Sequence, residues 1–493
     1  MKPKIVVAGA SGFVGRALLA EADEAFDWCG ISRRQKSSPS DTVSWKCGDW
    51  FSLLDAERCL EGARYAIYLV HSMMPSARLT QGRFTELDLI AADNFARAAA
   101  KAGVEQIIYL SGIIPKNHEK TPEYLSSHLR SRLEVEKTLS GYGVPVTTLR
   151  AGLILGHEGS SFQMLLRLVK RLPAMICPGW TQTKSNPIAL QDVIALISFC
   201  LANPKTYGQT YDIGGEEHVS YRELIELTAE LAGVRRVIFN FPLFTPGLST
   251  LWVQLITGAP RELVKPLVQS LRHDMSVSER RLQEMAGLKM TPLQTALRIA
   301  LEGPAKADAK NFTRNKNKST DQVSKVRSVQ RLHLPEGQNG IFVAEEYMRF
   351  LPKLQPPILR VVVDKNQLCH FYLRGLSKAL LLLQYSPERS SPDRPLFYIR
   401  GGLLAVGEGR GRLEFREVLG GACIIAAIHD FRPRLPWYIY RVTQALVHLW
   451  VMGQFEAHLK SISSRKLSAE AKVSDQVQQS EFINSAKSTN KAT

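Results

Sequence analysis

The chain has 493 residues, 45% hydrophobic and 22% charged, a balance that supports two or three buried cores and excludes a wholly disordered polypeptide. Sixty-three Lys and Arg against 46 Asp and Glu leave a net charge of +17, which directs attention to anionic partners: a phosphorylated small molecule, a membrane surface or nucleic acid. Seven cysteines with no CxxC and no Cys/His zinc spacing exclude a zinc framework and read as reduced, mostly buried thiols, so no metal site is expected.

The chain enters a strand at Ile5 without an apolar leader core, and no run approaches the roughly 18 apolar residues of a membrane span. The expectation is a cytoplasmic protein without a transmembrane segment, with peripheral membrane contact open. From residue 4 to about 106, short apolar runs (5–8, 28–32, 66–70, 106–110) alternate with helical patterns (14–22, 87–102), and the alternation continues through 146–149 and 210–213. Repeated β-α-β of this kind predicts an α/β domain over 1–302, a doubly wound parallel sheet whose strands are apolar on both faces because helices cover both.

Residues 303–332 are rich in Lys, Arg, Asn, Ser and Thr and predict a basic flexible linker; lacking interleaved aromatics, it is a poor nucleic-acid signal. Residues 333–463 predict a second, α+β domain. Strand-like segments at 359–363, 368–373, 380–385, 396–399, 412–416 and 422–429 suit an antiparallel meander, and a helical pattern over 437–459 offers an apolar face to cover it. Glu414, Arg416, His429 and Asp430 fall near strand ends and are candidates for a polar ligand head. The polar run 386–394 reads as a site or as a solvated hairpin. The aromatic-rich helix reads as core, as a grip on an apolar ligand, or as a membrane-interface element. Residues 464–493 predict a disordered tail.

The most informative stretch is Gly9-Ala10-Ser11-Gly12-Phe13-Val14-Gly15, directly after the first strand and opening the first helix. Gly9 permits the tight turn, Gly12 lets the backbone approach a pyrophosphate, and Gly15 allows close packing of helix on sheet. The helix N-terminus adds free N–H groups and the positive end of its dipole. A dinucleotide is the expected ligand. The Gly-x-x-Gly-x-x-Gly spacing in this context resembles the short-chain dehydrogenase/reductase superfamily in its extended and atypical branches, which implies an NAD(P)-binding Rossmann domain. Within it the chain is most similar to members that include flavone-type reductases, nitrogen-repression-type regulators and the 39-kDa subunit of respiratory complex I. The region after Gly340 resembles, more faintly, a helix-grip fold fused behind such reductase-like domains.

Where NAD-binding relatives carry an acid at the end of the second strand, this chain has Ser32-Arg33-Arg34, suited to a 2′-phosphate, so NADP(H) is favoured over NAD(H). The resemblance further places Asp49 at the adenine, Val70 and His71 at the cofactor-facing end of the fourth strand, and Ala151 and Gly152 beside the nicotinamide. His71 reads equally as a structural histidine. Ser111 occupies the family's carbonyl-polarising serine position. The family's Tyr/Lys pair is absent: the helix Ser127-His128-Leu129-Arg130-Ser131-Arg132 places His128 and Arg132 there instead. Three alternatives follow. His128 acts as acid/base with Arg132 as an electrostatic clamp; Tyr124 supplies a phenol from the preceding turn; or no proton transfer occurs and the domain binds cofactor as a sensor or scaffold in a protein complex. The first makes the chain an oxidoreductase acting on an unknown, apolar small molecule.

Overall fold

The computed structural model describes residues 2–36, 42–72, 80–115, 119, 121–241, 246–258, 260–303, 326–354, 359–406 and 411–465. The chain divides into two compact units: Met1–Ser76 with Leu87–Asn317, and Ala77–Glu86 with Lys318–Thr493.

The first unit is built on seven parallel strands: β1 (Lys4–Ala8), β2 (Asp27–Ser32), β3 (Val43–Cys47), β4 (Tyr65–Tyr68), β5 (Gln106–Gly112), β6 (Val146–Ala151) and β7 (Thr210–Ile213). Their order across the sheet is β7-β6-β5-β4-β1-β2-β3. The chain winds outward from β1 to β3 and restarts on the other side of β1 with β4. The reversal leaves a crevice at the carboxyl ends of β1 and β4, where open α/β sheets take their ligands. Strand residues alternate between two cores. Val6 and Ala8 face Tyr68, Phe95 and Tyr109, whereas Ile5 and Val7 face Leu18, Val193 and Ile197. Burial on both faces explains the unbroken apolar runs of these strands.

The helices begin where sequence chemistry allows. Helix α1 (Phe13–Ala20) follows Gly12, α2 (Leu53–Leu60) is capped by Ser52, which accepts from the Asp55 N–H, and α4 (Ser127–Ser140) by Ser126, which accepts from the Leu129 N–H. Between them α3 (Phe84–Ala102) lays an alanine-rich face against the sheet.

The second unit is an antiparallel sheet with a C-terminal helix. Its strands are β8 (Val326–Leu332), β9 (Leu359–Val363), β10 (Leu368–Leu373), β11 (Leu381–Tyr385), β12 (Leu396–Gly401), β13 (Arg412–Val418) and β14 (Cys423–Phe431). They run β9-β10-β11-β12-β13-β14-β8, and the two-residue strand Thr80–Gln81 pairs in parallel with β8. Helix α5 (Gly340–Phe350) and the helix at 444–465 enter the same core: Tyr347 meets Phe415 and Phe455 edge-on, with ring centroids 5.1 and 5.0 Å apart.

Two sequence boundaries need correction. Residues 326–332, assigned to the linker by composition, form a strand whose Val326, Val329 and Leu332 are buried. A register shift between Val326 and Ser328 breaks the strict alternation and hides the strand among basic residues. Residues 80–86, assigned to the first domain, belong to the second unit. The rest of the expected linker, 304–325, and of the expected tail, 466–493, lies outside the described residues; the C-terminal helix continues to residue 465.

Glu414, Arg416 and His429 share one face of the sheet and form a buried ionic cluster. Glu414 accepts from Arg416 Nη2 (2.7 Å), His429 Nε2 (3.1 Å) and Arg394 Nε (2.9 Å). Burial alone would raise the Glu414 pKa, but the surrounding cations hold it well below the ordinary carboxylate range. Asp430 instead pairs with Arg412 at 2.7 Å. The polar run 386–394 hydrogen-bonds largely to itself, Ser386 to Glu388 (2.7 Å) and Ser391 to Asp393 (2.6 Å), as a hairpin does. Removing the carboxylate takes a charged partner from the buried Arg416 and the partly buried Arg394, so Glu414→Ala is expected to cost about 3–5 kcal/mol in denaturant unfolding. A loss under about 1 kcal/mol would show that the cluster contributes little.

Candidate nucleotide-binding and active site

The turn after β1 is shaped by its glycines. Gly9 has φ +84°, and a Cβ there would stand 2.8 Å from the Leu69 carbonyl oxygen; a Cβ on Gly15 would stand 2.5 Å from the Gly9 carbonyl oxygen. The Gly12 N–H closes the turn on the Gly9 carbonyl at 2.8 Å. The turn therefore has to be glycine at both ends, and it delivers the N-terminus of α1 to the crevice between β1 and β4.

From this turn a cavity of ≈ 360 Å³ opens within the first unit. One end is formed by Gly9, Gly12, Phe13, Val14 and Gly15, and beside them by His71, Ser111, Ala151 and Gly152. His128 and Arg132 reach it from α4. Of the other expected residues, Ala10 packs in the core, Ser11 is exposed, and Val70 packs against the core behind β4. Ser32 is buried at the end of β2, where its Oγ accepts from the Arg34 N–H at 3.4 Å, while Arg33 and Arg34 are exposed. Asp49 accepts from the Phe51 N–H at 3.2 Å, at the end of β3. Tyr124 does not line the cavity: it is 67% exposed in a short turn begun by Pro122, which corrects the expectation that it supplies a phenol there.

Beneath the cavity lies an ion pair that sequence reading missed. Asp88 on α3 is 1% exposed and accepts from Arg132 Nη2 (2.6 Å), Ser131 Oγ (3.2 Å) and the backbone N–H of Ser72 (2.6 Å). Burial alone would lower the Arg132 pKa, but Tyr109, Asp88 and Tyr68 around it raise it, so the guanidinium stays charged. That charge acts on its neighbours. His128, held in the protein interior and close to Arg132 and His71, is brought down from 6.5 to about 3. His71 lines the cavity, and desolvation there, followed by the Arg132 charge, lowers its pKa too. Both imidazoles are neutral at physiological pH. His128 Nδ1 and Ser111 Oγ are buried without a hydrogen-bond partner among the described residues, so both remain available to a ligand.

The far wall was not legible either. Met164, Leu168, Trp180, Val253, Val264 and Val268 make it apolar. They come from four separate elements between 160 and 270, and each reads in sequence as ordinary core. Tyr221, the first residue of the helix Tyr221–Leu231, adds a phenol whose pKa burial pushes up.

The glycine turn, the helix terminus and the unpaired Ser111 hydroxyl fit a nicotinamide dinucleotide. Arg16 donates to the Ser11 carbonyl at 2.8 Å and, with burial, lowers the pKa of Lys36, while Arg33 and Arg34 are exposed at the end of β2. Three further buried polar residues hold structure. Asn94 donates to the Trp50 carbonyl (2.8 Å), Asp192 holds Thr291, and Asp212 holds Ser278. No group of three or more His, Cys, Asp or Glu able to hold a metal occurs among the described residues. No described helix is long and apolar enough to cross a membrane.

Residues 5–214 match the NAD dependent epimerase/dehydratase family. Over 150 residues, 30% of this chain, the sequence is 30% identical to the auxiliary protein GraX of Staphylococcus aureus, and the match spans 44% of that relative's length. It is 21% identical to UDP-glucose 4-epimerase of Vibrio cholerae over 244 residues, 46% of this chain and 74% of that protein. Among solved structures, triphenylmethane reductase of Citrobacter sp., complexed with NADP(H), is similar at 19% identity and a TM-score of 0.48, over 60% of this chain and 99% of that one. The sheet order and the glycine turn give the first unit a Rossmann-like fold, and residues 5–214 of it are similar to the NAD dependent epimerase/dehydratase family.

Proposed function

We propose that the chain is an NADP(H)-dependent reductase for an apolar, conjugated acceptor. The observation that carries this reading is the composition of one cavity, whose lining combines the glycine turn, two buried hydrogen-bonding groups and apolar side chains. A sugar nucleotide would leave many hydroxyls unpaired against Met164, Trp180 and Val264, at a cost of about 1–3 kcal/mol each. A planar or aliphatic acceptor would bury its surface there.

Bound nicotinamide supplies the hydride. The chain's own residues hold, orient and polarise. The N–H groups at the start of α1 would hold the pyrophosphate, and Arg33 and Arg34 would pair with the 2′-phosphate, which an acid at that place would repel. Ser111 Oγ–H donates a hydrogen bond to the acceptor oxygen. Neutral His128 orients the acceptor but holds no spare proton, and Arg132, fixed by Asp88, stabilises the negative charge that develops above it. A site that stabilises an anion without an acid at hand suits acceptors whose reduced anion is delocalised, such as quinones and enones, with the proton taken from water after release. The same neutral His128 and engaged Arg132 favour one second reading, a cofactor-loaded sensor or scaffold that performs no turnover.

An NADPH binding and oxidation assay against quinones, enones and aldehydes separates the two. Turnover on quinones or enones, with aldehydes poor, supports the reductase; tight binding with no turnover on any of them supports the sensor. Arg33→Ala with Arg34→Ala is expected to weaken NADPH binding between about ten- and a hundredfold and to leave NADH nearly unchanged. Gly15→Val should abolish binding of both.

The pH dependence of stability tests the state of His128. Its pKa falls from 6.5 in the unfolded chain to about 3 in the folded one, so between those values the unfolded chain holds the extra proton. Stability is full above pH 6.5 and declines as pH drops toward 3, by up to about 1.4 kcal/mol per pH unit. Urea titrations of His128→Phe from neutral to mildly acidic pH should show that slope reduced by about one proton. An unchanged slope would mean that the imidazole is protonated in place.

A further inference from the structure

The second unit carries a surface that neither the cofactor nor the reaction uses. From Phe431 to Phe455 the chain has no acidic residue, yet it includes Arg432, Arg434 and Arg441. Over the same stretch apolar side chains face outward: Trp437 is 43% exposed, Tyr438 58%, Val442 60%, Leu446 57% and Trp450 42%. They are not needed to complete the core, which takes Tyr440, Ala445, Val451, Met452, Phe455 and Leu459 from the other face. Farther along, in the helix at 444–465, the outward positions become Gln454, Ala457 and Lys460, as a solvated helix requires. The outward apolar character is confined to the first turns.

Those turns start at one end of the sheet, where three loops are knitted together by their backbones. The Val406 N–H donates to the Arg432 carbonyl (3.0 Å), the Arg434 N–H to the Leu404 carbonyl (3.0 Å), and the Leu404 N–H to the Leu380 carbonyl (3.0 Å). Leu376 and Val406 are 43% and 49% exposed on these loops, beside the exposed Arg374, Lys378 and Arg434. Isolated exposed apolar residues are ordinary; a set of exposed aromatic and aliphatic side chains accompanied, among the described residues, by Arg374, Lys378, Arg434 and Arg441 is not.

We infer that this end of the second unit docks on an anionic lipid surface. Trp and Tyr with apolar bodies and polar tips suit the boundary between acyl chains and headgroups, Leu446 and Val442 enter the acyl region, and these Arg and Lys side chains meet the phosphates. The charge selects this occupant over a second copy of the chain, because two such faces brought together would oppose Arg434, Arg441 and Lys378 to themselves. Docking is peripheral. The inference stands apart from the cofactor reading, since it uses no residue of the first unit.

The test is co-sedimentation of the full chain with phosphatidylcholine vesicles and with phosphatidylcholine/phosphatidylglycerol vesicles, over a range of salt. Binding to the anionic vesicles that weakens with salt is expected. Lys378→Gln, Arg434→Gln and Arg441→Gln together should lower it on the order of a hundredfold. Trp437→Ser, Val442→Ser and Leu446→Ser together should lower it by roughly tenfold or more. These side chains are exposed, so both variants should keep the wild-type thermal unfolding midpoint, and the apolar variant fixes the patch rather than bulk charge as the cause. No binding of the wild-type chain to anionic vesicles would overturn the proposal, as would binding that neither variant changes. Self-association in analytical ultracentrifugation that the apolar variant abolishes, without vesicle binding, would assign the face to a second copy and overturn it equally.

Discussion

The candidate site depends on a charged pair placed where charges are expensive. Asp88 and Arg132 lie under an apolar cavity, and a pair so buried persists because each member also satisfies its neighbours: Asp88 takes the Ser131 hydroxyl and the Ser72 N–H as well as the guanidinium. In doing so it ties α3, α4 and the segment after β4 to one point. The loop carrying His71 and the helix carrying His128 are thereby held against the same cavity, where burial first and the Arg132 charge second lower the pKa of both imidazoles.

This arrangement differs in kind from the proton relay that a Tyr/Lys pair provides. A lysine beside a tyrosine lowers the phenol pKa toward neutrality and makes it a usable acid; an arginine committed to a buried carboxylate leaves a fixed positive field and no transferable proton. The phenol that does reach the cavity, Tyr221, has its pKa pushed the other way by burial. The chemistry that remains favourable is the stabilisation of an anion, which is the basis of the substrate class proposed above.

Much of the fold was legible because the first unit obeys local rules. Doubly buried strands must be apolar throughout, and the β1 turn must be glycine at positions 9 and 15; each of these is written within a few residues. Legibility failed where partners are distant in sequence. Nothing near Arg132 announces Asp88, 44 positions away, and Met164, Trp180 and Val264 look like core until the fold turns them toward one void. Strand β8 was masked by its own register shift, its buried Val326, Val329 and Leu332 set among Arg327, Gln330 and Arg331. In the second unit, the meander strands were readable from their period, whereas the role of Glu414, Arg416 and His429 waited on the strand pairing that gathered them.

The short strand Thr80–Gln81 has a consequence for how the chain is treated as modules. Because residues 77–86 belong to the second unit while 87–317 return to the first, the polypeptide crosses between units more than once, and the basic segment after Gly303 is not a single seam. A chain cut there would carry a strand whose ladder partner β8 had been removed, and the excised C-terminal half would expose the β8 edge to any other strand. During synthesis the first unit emerges with that strand still waiting for more than two hundred residues. The two halves are therefore one folding problem and one inheritable unit, and a transplant of either alone would have to supply the missing edge.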